Sequence, residues 1–197
     1  MVLLHPAVRP LLHLLCLTPL AWLVYAAFNN LLGANPAETL IRALGDWALR
    51  GLLLTLAITP LRVLLKQPAL LRYRRLLGLW SFTYVLLHLL AYAWFDKSLM
   101  LDEVVQDVIK RPFILVGMLA FLLLLPLALT SFNAAIRWLG GKRWQLLHRL
   151  IYPITMLACL HFWWMRSGKQ LFTEPIVYTS ILIALLGWRL WRRFKPG

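Results

Sequence analysis

Long apolar runs recur along the whole chain, separated by short segments that hold charged residues, glycine or proline. Six such runs lie at about 9–28, 46–64, 76–95, 113–132, 148–165 and 176–193. Each is close to the roughly 20 residues that an α-helix needs to cross the hydrocarbon layer of a membrane. The strands of a membrane barrel would show segments of about ten residues with alternating polarity. The pattern therefore predicts an all-α, polytopic membrane bundle of six transmembrane helices in a single domain, 1–197.

The composition excludes a water-soluble globular domain. Of the 197 residues, 61% are hydrophobic and only 14% are charged, which is more apolar than a soluble domain of this size. The first apolar run begins after Arg9 and has no small-residue cleavage site before Asn29 and Asn30. We therefore predict that this run is a retained helix and not a removed signal peptide.

The charged residues divide between the two sides of the predicted membrane. The two ends of the chain and the second and fourth loops hold basic residues and no acid: Arg9, Arg62, Lys66, Arg72, Arg74, Arg75, Arg137, Lys142, Arg143, Arg149, Arg189, Arg192, Arg193 and Lys195. The other loops hold six basic residues, among them Lys169, and all seven acids: Glu38, Asp46, Asp96, Asp102, Glu103, Asp107 and Glu174. Because loops rich in Lys and Arg stay in the cytoplasm, both termini are predicted to be cytoplasmic.

This division accounts for the formal net charge of +14 without nucleic acid. The tryptophans flank the apolar runs, as interfacial anchors do, and do not alternate with a basic groove as a base-stacking surface requires. One basic residue, Arg50, lies inside the second run, and Asp46 one helical turn earlier is its predicted ion-pair partner.

Three histidines in or beside the apolar runs carry the candidate chemistry. His88 and His161 lie near the outer ends of the third and fifth runs, and His148 lies at the inner end of the fifth. Ionisable side chains in hydrocarbon are costly and mark functional sites. Two helices that each present a His at one depth can bind the iron of a haem from opposite faces. The alternative is that each His only packs or forms hydrogen bonds between helices.

His148 and Arg74 are the candidates for a second, inner site. His148 lies 13 residues before His161, which is about 20 Å along a helix, but on a straight helix the two side chains point about 140° apart. Pro153 could change this angle by bending the helix. Arg74 lies 14 residues before His88 and is not an ordinary iron ligand because it stays protonated. It is predicted either to bind a haem propionate or to be a cytoplasmic anchor.

The remaining polar and reactive groups point to no other chemistry. His13 is predicted to form an interhelix hydrogen bond and His5 to be solvated, while Cys16 and Cys159 are predicted to be packing residues. Gly117 is predicted to be at most a helix-contact residue. The chain has no GxGxxG motif, P-loop or nucleophile elbow. It also has no acid in the middle of an apolar run to bind a transported cation, so transport is weakly supported.

Two long motifs resemble a known family. The segments 74–80 (RRLLGLW), which runs on to His88, and 141–152 (GKRWQLLHRLIY), which runs on to His161, are similar to the MsrQ (YedZ) family, as is ITPLR at 58–62. That family belongs to the ferric-reductase-like transmembrane superfamily, which includes the NADPH oxidases. The resemblance covers essentially the whole chain.

The resemblance implies a haem b electron-transfer subunit in the bacterial inner membrane, and not a catalytic subunit. In the superfamily two helices carry two histidines each, which bind an inner and an outer haem. His88 and His161 match the outer pair, His148 matches one inner ligand, and Arg74 stands at the other inner position. One or two haems are therefore expected. The resemblance also implies FMN, for which the chain shows no motif.

The implied acceptor is a periplasmic molybdopterin methionine sulfoxide reductase (MsrP-like) that forms a heterodimer with this chain. Because the chain ends at Gly197 without a nucleotide domain, quinol or a separate flavin reductase is the expected donor. The acids of the third loop are predicted either to steer a basic partner or only to be solvated: Asp96, Asp102, Glu103 and Asp107. The alternatives left open are a non-redox scaffold or transporter and a stand-alone transmembrane metal reductase.

Overall fold

The structure, a computed structural model, describes residues 5–168 and 170–194, so that Lys169 and Lys195 lie outside the described residues. The described chain is a bundle of α-helices without a β-strand. The helices are α1 (Val8–Phe28), α2 (Pro36–Leu64), α3 (Arg74–Ala91), α4 (Leu101–Lys110), α5 (Pro112–Leu129), α6 (Asn133–Leu139), α7 (Gly141–Leu147), α8 (Ile151–Ser167) and α9 (Thr173–Phe194). The helical class predicted from the sequence is confirmed.

Five helical segments of the described chain are long and apolar enough to cross a membrane. They are Val8–Phe28, Pro36–Leu64, Pro68–Asp96, Pro112–Leu129 and Gly141–Ser167. Three of these segments correspond to one α-helix each. The third joins α3 to the 3₁₀ helix Pro68–Tyr73 and the π-turn Tyr92–Asp96, and the fifth joins α7 and α8 through the 3₁₀ turn His148–Leu150. The chain is thus a multi-pass membrane protein.

The sixth predicted span corresponds to α9, which has 22 residues. Glu174 in its first turn and Arg192 and Arg193 in its last turn make it more polar than the five segments above. That α9 crosses the membrane, and that both termini are cytoplasmic, stay predictions.

Helix α2 starts ten residues before the predicted span, and the span bounds of about 46–64 stay a prediction. Asn35 caps the helix, because its Oδ1 accepts a hydrogen bond from the Glu38 backbone N–H at 3.2 Å, and Pro36 occupies the first helical position. This arrangement of Asn, Pro and Glu is typical of a helix start. It extends α2 to 29 residues, so the outer end of α2 reaches beyond the apolar run.

The bundle is built from two closely packed pairs, α2 with α3 and α5 with α8. Small residues let the first pair approach: a Cβ on Gly51 would lie 2.5 Å from Ser81 Oγ. Close contact through small residues is how helices associate in lipid, where burial of apolar surface gives no driving force. The largest buried cluster joins both pairs around Leu52, Leu56 and Ile154.

Helix α9 is attached to α2 by an arginine. Pro60 has no N–H and so cannot bond the Leu56 carbonyl four residues earlier. The Arg189 guanidinium donates to this carbonyl through Nη2 and, through Nη1, to the Leu185 carbonyl at 3.0 Å. Arg189, which the sequence placed among the cytoplasmic basic residues, is therefore half-buried between helices.

The predicted ion pair between Asp46 and Arg50 was wrong. Asp46 Oδ2 lies 3.2 Å from Nη2 of Arg166 on α8, and the same Nη2 lies 2.9 Å from Glu174 Oε2. Arg50 donates from Nε to the Tyr178 hydroxyl at 2.8 Å and lies over the Trp47 ring. Side chains of α8 and α9 therefore replace the contact between Asp46 and Arg50.

Candidate functional site

His88 on α3 and His161 on α8 face each other inside the bundle. Their ring centroids are 6.2 Å apart and their planes are inclined by 77°. Both rings line a cavity of about 450 Å³ whose walls also include residues of α2 and α5. We call it the histidine-pair cavity. The structure thus brings together the two histidines that the sequence placed at one depth.

Each of these rings is oriented by a backbone carbonyl of a neighbouring helix. His88 Nδ1 donates to the Ile41 carbonyl of α2 at 2.8 Å, and His161 Nδ1 donates to the Phe113 carbonyl of α5 at 2.6 Å. This tautomer is assigned because a carbonyl can only accept. It leaves the lone pair of Nε2 available to a metal, which is the usual arrangement of a metal-binding His.

Two glycines make the space for the rings. A Cβ at Gly45 would lie 3.1 Å from His88, and a Cβ at Gly117 would lie 2.8 Å from His161 Nδ1. Each glycine follows the acceptor carbonyl, at Ile41 or Phe113, by four residues. No role was predicted for Gly45, and none beyond helix contact for Gly117. A glycine inside an apolar helix was the available signal.

The histidine pair fits a metal that lies between two imidazoles. An imidazole nitrogen binds a first-row metal at about 2.0–2.1 Å, which holds two opposed rings roughly 6 Å apart from centroid to centroid. No group of three or more His, Cys, Asp or Glu side chains that could hold a metal exists among residues 5–168 and 170–194. The two imidazoles are thus the protein groups that could bind a metal here, as the axial ligands of a haem do. The cavity volume lies within the range of about 300–1,000 Å³ usual for ligand sites.

A second cavity, of about 480 Å³, contains His148 and four arginines: Arg72, Arg74, Arg75 and Arg149. We call it the arginine-lined cavity. His148 Nε2 lies 3.1 Å from Thr130 Oγ1, and the His148 ring stacks on Trp144 at 3.9 Å between centroids. The structure thus brings Arg74 and His148 to one site, and His148 is the sole histidine that lines it within the described residues.

The irregular turn at His148 reduces the angle between the His148 and His161 side chains from about 140° on a straight helix to roughly 80°. His148, Arg149 and Leu150 form a 3₁₀ turn between α7 and α8, in which successive residues rotate by about 120°. The segment from His148 to His161 is therefore not one straight helix, in line with the change of angle considered for Pro153. The turn lies just before Pro153, which cannot bond the carbonyl four residues earlier.

Leu124 and two stacked phenylalanines lie between the two cavities. Leu124 lines both of them. Phe82, which lines the arginine-lined cavity, stacks on Phe121, which lines the histidine-pair cavity, with 6.3 Å between centroids and 9° between planes. Only side chains in direct contact therefore separate the two sites.

The comparisons with known proteins identify the family. A sequence profile described as "Ferric reductase like transmembrane component" matches residues 44–159. Among similar proteins, one from Polaromonas naphthalenivorans is 58% identical over 195 residues, 99% of this chain and 89% of that protein. One from Bordetella parapertussis is 51% identical over 94% of this chain and 91% of its own length. Both are named "Protein-methionine-sulfoxide reductase heme-binding subunit MsrQ".

The chain belongs to the MsrQ family. A relative from Caulobacter vibrioides with the same name is 46% identical over 92% of this chain. No solved structure matches the chain. The profile includes His88 and His148, and it ends two residues before His161.

In this MsrQ-family chain, Asp107 of α4 is bonded to Tyr92 and Arg111, which line the rim of the histidine-pair cavity. Asp107 is 9% exposed, and its Oδ2 accepts from the Tyr92 hydroxyl at 2.7 Å and lies 3.1 Å from Lys97 Nζ. Its Oδ1 lies 3.0 Å from Nε of Arg111. Burial raises the pKa of the Asp107 carboxyl, but the hydrogen bonds from Tyr92 and Lys97 and the charge of Arg111 outweigh it, so the pKa lies below its usual range.

Asp107 is therefore not a steering residue, because neighbouring cations neutralise its charge. Asp96, Asp102 and Glu103 are exposed and remain candidates for that role.

The other histidines and the cysteines have the structural roles predicted for them. His13 Nδ1 accepts from Trp80 Nε1 of α3 at 3.0 Å, which confirms the interhelix hydrogen bond. His5 is exposed. Cys16 and Cys159 are free thiols, and Cys159 is buried in the main apolar cluster.

Proposed function

We propose that this chain is the haem b subunit that carries electrons across the membrane for a methionine sulfoxide reductase, and that it is not the catalytic subunit. The observation that carries the proposal is the histidine pair, with two rings 6.2 Å apart and both Nδ1 atoms bonded to backbone carbonyls. The names of the MsrQ relatives agree with this chemistry.

His88 and His161 would bind the haem iron through Nε2. The haem supplies an iron that takes up and releases one electron. With both histidines bound, the iron would have no open position for oxygen, which would favour electron transfer over oxygen activation. The carbonyls of Ile41 and Phe113 fix the ring orientations.

We further propose that the arginine-lined cavity takes a second haem. His148 would bind its iron, and Arg74 would bind a propionate in preference to acting as an axial ligand. Three observations support this role: the two residues line one cavity, three further arginines surround it, and stacked phenylalanines separate it from the histidine pair.

The direction of electron flow follows from the charge of the loops. With six spans and both termini in the cytoplasm of a bacterial inner membrane, the arginine-lined cavity opens toward the cytoplasm. Quinol or a separate flavin reductase would deliver electrons there. An MsrP-like molybdopterin reductase in the periplasm would accept them from the histidine-pair cavity as the heterodimer partner. FMN binding is proposed from the family resemblance alone, with no side chain assigned.

The test is electron delivery in a reconstituted membrane. The reduced protein is incorporated into lipid vesicles, the periplasmic reductase is added, and haem reoxidation is followed after addition of a methionine sulfoxide substrate. We expect reoxidation only when both partner and substrate are present. Reoxidation no faster than in the partner-free control contradicts the assignment, and rapid reoxidation by chelated ferric iron alone favours a metal reductase. A colourless protein indicates a scaffold.

The same assay tests steering by the exposed acids of the third loop. Replacement of Asp102 by Asn and Glu103 by Gln should slow association with a basic partner and weaken the dependence on salt. Gln106→Ala serves as the comparison because this exposed side chain on the same helix carries no charge. Equal rates in all variants would show that Asp102 and Glu103 are only solvated.

A further inference from the structure

Helix α4 joins two membrane-crossing segments on one side of the bundle. The segment Pro68–Asp96 ends just before it, and the segment Pro112–Leu129 begins just after it. The chain reverses direction at once after the first segment, because Ser98 and Leu99 adopt left-handed backbone conformations and Leu99 N–H bonds the Ala93 carbonyl at 2.8 Å. Both ends of α4 are therefore only a few residues from a membrane-crossing segment.

The side chains of α4 divide into three groups by their position around the helix axis. Asp107 is buried, with Val104 and Val108 half-buried beside it. Leu101, Val105 and Ile109 follow each other at intervals of four residues and are 77%, 57% and 74% exposed. The third group is polar and exposed: Asp102, Glu103, Gln106 and Lys110.

These groups occupy separate sectors of the helix. At about 100° per residue, Leu101, Val105 and Ile109 fall within a sector of roughly 80° between the protein-facing group and the polar group. A helix that only crossed open solvent would need two faces, one toward the protein and one toward water. A third, apolar face requires an apolar environment.

We infer that α4 lies along the membrane surface and inserts Leu101, Val105 and Ile109 into the acyl chains of the adjacent leaflet. The apolar face continues the lipid-facing surface of the spans on both sides, since Trp94 and Phe95 before α4 and Leu115 and Leu119 after it are also exposed. The polar group then faces water, as in interfacial amphipathic helices.

Through the bonds of Asp107, the position of α4 also affects the histidine-pair cavity. Asp107 of α4 bonds Tyr92 and Arg111, and both of these residues line the cavity. A helix that is fixed by lipid on one face and by Asp107 on another holds the rim of the cavity in place. The inference does not depend on what the cavity binds.

The test is a scan of α4 with nitroxide spin labels in the full chain, with Cys16 and Cys159 replaced by Ala, in lipid bilayers. Single Cys residues replace Leu101, Val105 and Ile109 and, as matched controls one position further along, Asp102, Gln106 and Lys110. Collision rates with oxygen, which concentrates in lipid, and with a water-soluble nickel chelate are measured. We expect a several-fold higher ratio of oxygen to nickel collisions at the first three positions.

Equal ratios at all six positions, or a ratio that favours nickel at Leu101, Val105 and Ile109, would overturn the inference. That result would leave the face free for a protein.

A second measurement needs no substitution. A lipid that carries a photoactivated carbene precursor on its acyl chain is activated in vesicles that contain the native chain, and the labelled residues are mapped by mass spectrometry. Label on Leu101, Val105 and Ile109 supports the inference, and its absence there, with label on Leu115 and Leu119, contradicts it.

Discussion

At the scale of single residues, the histidine pair depends on two glycines as much as on the histidines. Gly45 and Gly117 lie against the His88 and His161 rings, so that an added Cβ would lie 3.1 Å from His88 and 2.8 Å from His161 Nδ1. The acceptor carbonyls lie one helical turn before each glycine. The same local arrangement therefore serves both rings, although it is built from different helices.

We predict that Gly117→Ala lowers haem content more than Gly45→Ala does. A methyl group at 117 would meet His161 Nδ1 at 2.8 Å and must displace the ring, whereas the contact at 45 is 3.1 Å. Haem absorbance per protein measures the effect. Gly187→Ala on α9 is the control, since nothing lies within 4 Å of the added Cβ. It should keep its haem, and equal haem in all three variants would show that the glycines are not needed.

A second residue-scale prediction concerns Asp107 and pH. Because the folded pKa of Asp107 is lowered, its ion pairs stabilise the fold fully above the unfolded pKa of about 3.9. This stabilisation is lost as pH falls through the folded pKa. Asp107→Asn should therefore lower stability at pH 7, by about 1–3 kcal/mol, and much less near pH 3. Thermal unfolding of both proteins across this range is the measurement, and a difference independent of pH would contradict the prediction.

At the scale of helices, sequence patterns predicted what each helix contains better than what it contacts. His88 and His161 were identified because an ionisable side chain in an apolar run is conspicuous. Their carbonyl acceptors were not, since a backbone carbonyl carries no sequence signal. The pairing of Asp46 with Arg50 failed because Arg166 approaches from α8. Helix α4 was not predicted and was assigned to a loop. Its exposed apolar residues have helical spacing, but they do not form the continuous apolar run by which the other helices were recognised.

The link between α9 and α2 can be tested by a double-mutant cycle. Arg189→Ala should destabilise the bundle by about 1–3 kcal/mol, because it leaves the Leu56 carbonyl without its donor. In a Pro60→Ala background the restored backbone N–H can bond that carbonyl, so the same change should cost less. Unfolding by denaturant gives the four free energies. Arg192→Ala, at an exposed position, is the control, and strictly additive effects would mean that Pro60 and Arg189 act independently.

At the scale of the whole molecule, the arrangement of loop charge predicts six spans with the two sides of the bundle chemically distinct. If α9 crosses the membrane, it returns the chain to the cytoplasm. A fluorescent protein fused after Gly197 should then fluoresce, and an alkaline phosphatase that is active only in the periplasm should be inactive at the same position. A phosphatase fused after Gly168, in the loop between α8 and α9, should show the opposite behaviour. Active phosphatase at the C-terminus would mean that α9 does not cross.

The most direct test of the central claim is the haem content and spectrum of His88→Ala and His161→Ala. His13→Ala is the matched control, since His13 also lies in an apolar helix but bonds Trp80. Reduced-minus-oxidised spectra and haem-to-protein ratios are measured on the purified proteins. We predict that both cavity variants lose the signal of the same low-spin b-type haem, while His13→Ala keeps the complete spectrum. Full haem content and an unchanged spectrum in His88→Ala and His161→Ala would contradict the account.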